Sequence, residues 1–438
     1  MNKLPFWLGE IPARWSLVKA KRVMSVVKEI PGAGLAADYD RLSLTMSGVL
    51  PRAKDDRDGL QPADFNSYQL LRPGQLVFKL IDLMNVATSR VGLSDDTGLV
   101  SPAYIVTSLG PGVDARFMHY YFHDLYSRRI FNFLGSAGVR SSLGPKDLMA
   151  LPILLPPLDE QRAIADYLDQ ETAQIDALVA KQEEFIGLLR ERRSAVRDSA
   201  LTGGLNGIGV SKRTGNVWLP ILPSGWRAVP TRRLLSFGPS NGVSPEAGRV
   251  GDMRSLSIGA VRDGRVKASE EVTKYVDRDS LRDVSQFLLH YGDVLIVRGN
   301  GNISMVGRAG MVGNEFTQEE YIYPDLLIRI RTTADMRPDF FVAALDTPTS
   351  RAQIELLART TVGTFKISAA DVRSIVLPCP PIDEQHAIIE HISQQTSRID
   401  ALITKAEEHI ALAKERRAAL ITAAVTGQFD VRTARKAG

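Results

Sequence analysis

The segment Pro156–Gly203 is written a second time at Pro380–Gly427, without a gap and with 25 of 48 positions identical. The first copy reads PPLDEQRAIADYLDQETAQIDALVAKQEEFIGLLRERRSAVRDSALTG and the second PPIDEQHAIIEHISQQTSRIDALITKAEEHIALAKERRAALITAAVTG. The blocks in front of the two copies also correspond, though more loosely. Trp7, Pro12 and Trp15 match Trp218, Pro223 and Trp226, and LLRPG at Leu70–Gly74 matches LLHYG at Leu288–Gly292. At that second offset Arg90 and Gly92 fall on Arg308 and Gly310. A period of roughly 220 residues is far too long for a solenoid unit. The chain must be two copies of a lobe, each followed by the same long element.

That element reads as a helix. Pro157 and Asp159 supply the start, since proline suits the first turn and a carboxylate favours the positive end of the helix dipole. Ile164, Leu168, Ile175, Leu178, Phe185, Leu189 and Val196 then recur at helical spacing, and Ile388, Ile392, Ile399, Leu402, Ile410 and Leu420 do so in the second copy, with Ala406 and Ala413 filling the stripe. Gly203 and Gly427 are the expected stops. About 44 proline-free residues make a rod of roughly 65 Å at 1.5 Å per residue. One narrow apolar stripe on so long a rod needs a partner. The other copy is the favoured one, in an antiparallel coiled coil; packing of each helix on its own lobe is the alternative.

The lobes read as mixed α/β with many short strands. Gln75–Leu80, Tyr104–Ser108, Asp293–Arg298 and Leu326–Arg331 are candidate strands between turn residues. FMHYYFHDLY at Phe117–Tyr126 and DFFVAAL in the second lobe are candidate short helices. Trp15 and Trp226 read as core anchors, with base stacking as the alternative.

Composition excludes several classes. Hydrophobic residues are 44% and charged residues 24% of 438, which supports a folded core. No apolar run approaches a membrane span, and the first residues lack the layout of a secretory signal, so a cytoplasmic protein is expected. One cysteine, Cys379, rules out a disulfide framework and a cysteine-built zinc site. The net charge is only +4, a weak sign of nucleic acid by itself. His119 and His123 stand four apart but lack the glutamate of a zincin helix. Gly299-Asn300-Gly301 lacks the third glycine of a dinucleotide fingerprint, and neither GxxxxGK[ST] nor GxSxG occurs. The scan finds no catalytic motif and no metal cluster, which favours binding over chemistry.

The PPLDEQ/PPIDEQ opening of a long helix, present twice with divergent lobes in front, resembles the specificity subunit of type I restriction-modification enzymes. The proline pair, Glu-Gln, the IDAL segment and the ERR cluster appear in both copies, so the resemblance covers almost the whole chain. It implies two similar target recognition domains, at 1–155 and 204–379, separated by conserved spacer helices at 156–203 and 380–427, with a tail at 428–438. It implies partners as well: double-stranded DNA, two methyltransferase subunits and restriction-translocation subunits, with no membrane. S-adenosylmethionine, ATP and Mg2+ would belong to those partners, leaving this chain without a cofactor or an active site of its own. Each lobe would read one half of an asymmetric bipartite target, and the rod would leave room for half-sites about 34 Å apart.

On that reading the DNA-contacting candidates are long polar side chains in loops after lobe strands. They are Arg298, Asn300, Asn302 and Arg308 in the second lobe and Lys79, Asn85, Thr88 and Arg90 in the first, because arginine and asparagine make bidentate contacts to guanine and adenine. Arg90 and Arg308, matched despite divergence around them, suit phosphate binding or loop support better than base reading. Arg140, Ser141 and Ser142, with Thr361, Thr364 and Lys366, lie before the proline pairs and suit backbone contacts. For methyltransferase docking the candidates are the matched polar residues Asp159/Asp383, Glu160/Glu384, Gln161/Gln385, Glu191/Glu415, Arg192/Arg416 and Arg193/Arg417; a repeated intramolecular contact would match them equally. A scaffold that bridges two identical proteins without DNA, and an enzyme with a dispersed site, are the rival readings.

Overall fold

A computed structural model describes residues 5, 7–32, 38–46, 48–52, 65, 67–83, 90–134, 142–205, 209–249, 253–281, 283–317, 320–361 and 363–434. The chain divides into two compact units, Met1–Glu184 with Ala406–Gly438, and Phe185–Lys405. Each unit thus holds one lobe, the first part of the helix that follows it, and the last part of the other helix.

In the first unit β1 (Ser16–Lys19) pairs antiparallel with β10 (Pro152–Leu155), bringing the two ends of the lobe together. Between them β2 (Met24–Val27), β9 (Ile105–Leu109), β6 (Leu76–Phe78) and β7 (Val91–Leu93) form one sheet in that order. A second sheet has the order β4-β3-β8-β5, from β4 (Gly48–Arg52), β3 (Arg41–Thr45), β8 (Gly98–Val100) and β5 (Gln69–Leu71). Its β3 pairs antiparallel with β4 and parallel with β8. Helices α1 (Ala115–Ser127), α2 (Ile130–Leu134) and α3 (Pro145–Ala150) complete the lobe, and α4 (Leu158–Gly203) follows β10 directly. Asp114 caps α1 by accepting from the backbone N–H groups of Arg116 and Phe117.

The second lobe repeats this plan with additions. After a small hairpin of β11 (Ser211–Arg213) and β12 (Ile221–Pro223), β13 (Arg227–Pro230) pairs antiparallel with β26 (Val376–Cys379), as β1 does with β10. The main sheet contains β14 (Leu235–Asn241), β23 (Leu327–Thr332), β19 (Val294–Val297) and β21 (Ala309–Met311) in the order of the first lobe, extended by β17 (Arg265–Val266) and β16 (Val261–Arg262). β15 (Met253–Leu256) pairs antiparallel with β18 (Thr273–Val276) and parallel with β22 (Tyr321–Ile322). That is the pattern of β3 with β4 and β8. Helices α5 (Pro338–Leu345), α6 (Pro348–Leu357) and α7 (Ala369–Ser374) precede β26, and α8 (Ile382–Val425) follows it. A hairpin of β24 (Arg359–Thr361) and β25 (Thr364–Lys366) leans on β20 (Gly299–Asn300). A short α9 (Val431–Ala434) closes the described chain. The four candidate strands and both candidate helices of the lobes are therefore present.

Each core joins a lobe to both long helices. Phe78, Phe117, Phe122 and Ile153 pack with Ile164 and Leu168 of α4 and with Ile421, Ala424 and Val425 of α8. In the other unit Trp226, Phe340, Phe341 and Leu377 pack with Ile388 of α8 and with Ala200 and Leu201 of α4. Full burial of such side chains stabilises by roughly 1.5–3 kcal/mol each. The helices run antiparallel in both units: Arg417 meets Asp176 and Lys414 meets Glu183 in one, and Arg193 meets Asp400 in the other.

The seam differs from the stripe expected above. Ile175, Ile186 and Leu189 are buried on α4, and Ile399, Ala406 and Ala413 on α8, but Leu178 is 49%, Phe185 43% and Leu402 47% exposed. A paired helix keeps a spacing of 3.5 residues, which phases the seam through positions 175, 186 and 189. Leu178, Phe185 and Leu402 sit one step off it. The stops also differ in detail: Gly204 and Gly427, not Gly203, take the left-handed backbone, with φ of 73° and 74°. At Gly427 a Cβ would meet Pro12 Cγ at 2.4 Å, so the end of α8 lies directly against the lobe's first turn.

Candidate nucleic-acid interface

Where a lobe meets its own helix, the repeated Asp-Glu-Gln does structural work. Trp15 donates its indole N–H to Glu160 Oε1 at 2.9 Å, and Trp226 donates to Glu384 Oε2 at 3.0 Å. Gln161 is fully buried; its Oε1 accepts from the Asp114 N–H and its Nε2 donates to the carbonyls of Pro156 and Gly112. Gln385, also fully buried, repeats this with the Arg337 N–H and the carbonyls of Pro380 and Asp335. Trp15 and Trp226 are core residues, as expected.

This geometry corrects part of the docking set: Glu160, Gln161 and Gln385 are buried in contacts between their own lobe and helix and are not offered to a partner. Glu384, half-buried, makes the corresponding contact to Trp226. Arg193 and Arg417 each pair across the two helices within their own unit, with Asp400 and Asp176 respectively, both at 2.9 Å. Asp159, Asp383, Glu191, Arg192, Glu415 and Arg416 are exposed. Leu188 and Leu412, 57% and 63% exposed, lie one helical turn before Glu191–Arg192 and Glu415–Arg416; Leu178 and Leu402 are exposed at another matched pair of positions.

In the second lobe the loop after β19 is built by its own polar groups. Asn300 Oδ1 accepts from the Asn302 N–H at 2.9 Å and Asn302 Oδ1 from the Ser304 N–H at 3.0 Å. A bidentate contact to adenine would therefore use the second lone pair of either amide oxygen. Arg308 is exposed and donates to the Ser304 carbonyl at 3.1 Å. Arg298 is half-buried against the Asp325 carbonyl, 3.2 Å away. Arg351, from α6, donates to the carbonyls of Val306, Ile303 and Ser304 and so ties the loop to the helix. Burial and neighbouring Arg308 lower its pKa, against the pull of Asp346 and Glu355. Thr361 stands opposite Thr364 on the β24–β25 hairpin, and Lys366 is exposed at its end. Beside this loop opens a cleft of about 540 Å3, with Ser244, Ser255, Ser257, Lys274 and Asp325 in its wall. Its residues come from four separated segments, so no sequence signal marked it.

In the first lobe Arg90 is 1% exposed and donates to the carbonyls of Ile81 and Asp82. It is a loop support, and its placement among the DNA-contacting candidates is corrected. Asn132 of α2 holds the same loop through the Leu83 carbonyl, as Arg351 does in the second lobe. Lys79 is half-buried, and burial followed by Arg90 lowers its pKa. Ser142 is exposed. Asn85, Thr88, Arg140 and Ser141 lie outside the described residues.

His119 and His123 are half-buried on α1, with ring centroids 6.1 Å apart. Burial first, then Arg417, and for His119 also His123, push both pKa values down to about 4. Among the described residues no group of three or more His, Cys, Asp or Glu could hold a metal ion. No described helix is long and apolar enough to cross a membrane.

The fold and these sites define a two-lobed repeat protein whose lobes differ in their loops and share their helix attachments. In sequence it is similar to type I restriction enzyme specificity subunits, and its fold matches solved structures of such subunits. No family model matches the chain. It is 27% identical over 314 residues to the EcoKI specificity subunit of Escherichia coli K12, an alignment covering 71% of this chain and 64% of that one. The chain thus spans just under two thirds of the curated relative. A structure solved in a study of type I restriction-modification assembly and conformational transition superimposes with a TM-score of 0.65 at 16% identity, covering 96% of this chain and all of that one. The HsdS subunit of Thermoanaerobacter tengcongensis gives 0.53 at 15%, covering 98% and 100%.

Proposed function

We propose that this chain is the DNA-recognition subunit of a type I restriction-modification complex, without an active site of its own. Each lobe reads one half of an asymmetric bipartite duplex target, and the paired helices set the gap. The observation that carries this is the contrast inside the repeat. Topology, helix clamp and interhelical ion pairs recur, whereas the loops after β6 and β19 differ in the residues that would meet bases. Different base edges require different side chains, while two identical partners require the same surface twice.

The repeated surface is the outer face of the helices. Glu191 and Arg192 beside exposed Leu188, with Glu415 and Arg416 beside exposed Leu412, and Asp159 and Asp383 at the two helix starts, form the matched polar set that suits docking of two methyltransferase subunits. Those subunits would bring S-adenosylmethionine, and restriction-translocation subunits would bring ATP and Mg2+. Base and backbone contacts fall to Arg298, Asn300, Asn302, Arg308, Thr361, Thr364 and Lys366 in the second lobe. In the first they fall to Lys79, Ser142 and the candidates outside the described residues.

The test is a methylome. The chain is co-expressed with its neighbouring methyltransferase in an unmethylated host and modified adenines are mapped. Two short defined blocks around a fixed unspecified gap are expected, and exchange of one lobe is expected to change one block. A complex that forms and leaves every adenine unmodified would favour the scaffold reading instead.

A further inference from the structure

The β24–β25 hairpin of the second lobe places two cations directly opposite each other. Its register sets Arg359 against Lys366, Thr360 against Phe365 and Thr361 against Thr364. Opposite residues share a face of the ribbon and successive residues alternate. Phe365 packs against the core of the lobe. Arg359, Thr364 and Lys366 therefore occupy the other face, and Arg359 and Lys366 are both exposed. Like charges at a directly opposed pair destabilise a hairpin. Among the described residues neither cation has a carboxylate partner to relieve that repulsion, although Glu355 lies only four residues before Arg359.

The position is also held. Lys366 pairs with Gly299 on β20, and a Cβ at Gly299 would come within 3.0 Å of Lys366 Cγ. The lysine stem lies over a residue with no side chain, and the next residue continues the attachment, Ile367 N–H to the Arg298 carbonyl at 2.9 Å. An uncompensated pair of cations, one of them with its stem held, beside a loop of Arg298 and Arg308 is what an anion with its own fixed geometry would satisfy.

We propose that Arg359 and Lys366 form a clamp for a phosphodiester of duplex DNA, holding the second lobe on the backbone so that the Asn300–Arg308 loop meets the base edges. This rests on the reading of the second lobe as a DNA-binding module. The clamp carries no sequence information; it fixes register.

The test uses the full-length chain and a labelled duplex of mixed sequence, with binding followed by anisotropy across a salt series. Arg359→Gln and Lys366→Gln are each expected to lower the slope of log affinity against log salt by about 0.9, and the double variant by about twice that. Arg359→Lys is expected to keep the wild-type slope. Lys366→Glu supplies the missing opposite charge, so it is expected to raise the thermal midpoint while weakening binding on every sequence. A merely structural lysine would lower that midpoint. Unchanged slopes in folded variants of a chain that binds DNA would overturn the clamp alone. A change in the methylated motif in place of uniform weakening would overturn it in favour of base reading. Wild-type chain that shows no salt-dependent binding would instead overturn the reading on which the clamp rests.

Discussion

Arg193 of α4 stands 2.9 Å from Asp400 of α8, and the residues at the matched positions of the repeat, Arg417 and Asp176, stand at the same distance. The repeat thus uses one ion pair twice, once in each unit, to register the antiparallel helices there. Exposed pairs of this kind contribute about 0–1 kcal/mol. Arg193→Ala is therefore expected to change stability by less than about 1 kcal/mol. Asp400→Arg, which sets like charges together, is expected to cost more and to be partly rescued by Arg193→Asp. Thermal unfolding of the single and double variants measures that coupling; strict additivity would remove the registering role.

Gln161 and Gln385 are matched for a different reason. Each satisfies one part-buried backbone N–H and two carbonyls with a single buried amide. Replacement by Ala leaves those groups unpaired, and about 1–3 kcal/mol is expected for each such loss. Urea unfolding of Gln161→Ala and Gln385→Ala should show similar destabilisation. A neutral effect at either site would show that water takes over the bonds.

Gly427 combines a φ of 74° with a Cβ position 2.4 Å from Pro12 Cγ. Gly427→Ala is expected to destabilise the first unit by about 1–3 kcal/mol, from backbone strain together with displacement of Pro12. Gly363, also at positive φ but with open space at its Cβ, is the control; its Ala variant carries the strain alone. Equal losses at the two positions would show that contact with Pro12 adds nothing.

His119 and His123 have pKa values held near 4, below the ordinary 6.5. Between those values the unfolded chain binds more protons than the folded one, so stability is full above about pH 6.5 and falls as pH drops toward 4. Melting temperatures measured across that window should decline, and the decline should be shallower in a His119→Gln/His123→Gln variant. A parallel decline in both proteins would move the acid sensitivity elsewhere.

The repeat was legible because recurrence needs no structure to be seen, and it carried the helices, the two lobes and the antiparallel pairing with it. The lobe strands around Leu76–Phe78 and Val294–Val297 were legible too, as short apolar runs between turn residues. The residues that would meet DNA were less so. Arg90 and Arg308 read alike in sequence, yet one is buried against its own loop and the other is exposed.

Sequence by itself therefore determined that this chain is two lobes and two helices, because periodicity and identity are properties of order along the chain. Tertiary structure alone decided what each matched polar residue is for. Glu160 and Glu384 bind indoles, Gln161 and Gln385 clamp lobes, and Arg193 and Arg417 cross to the other helix. Arg359 and Lys366 face each other only because β25 pairs antiparallel with β24. Burial and partnership depend on segments distant in the chain, and no local pattern encodes them.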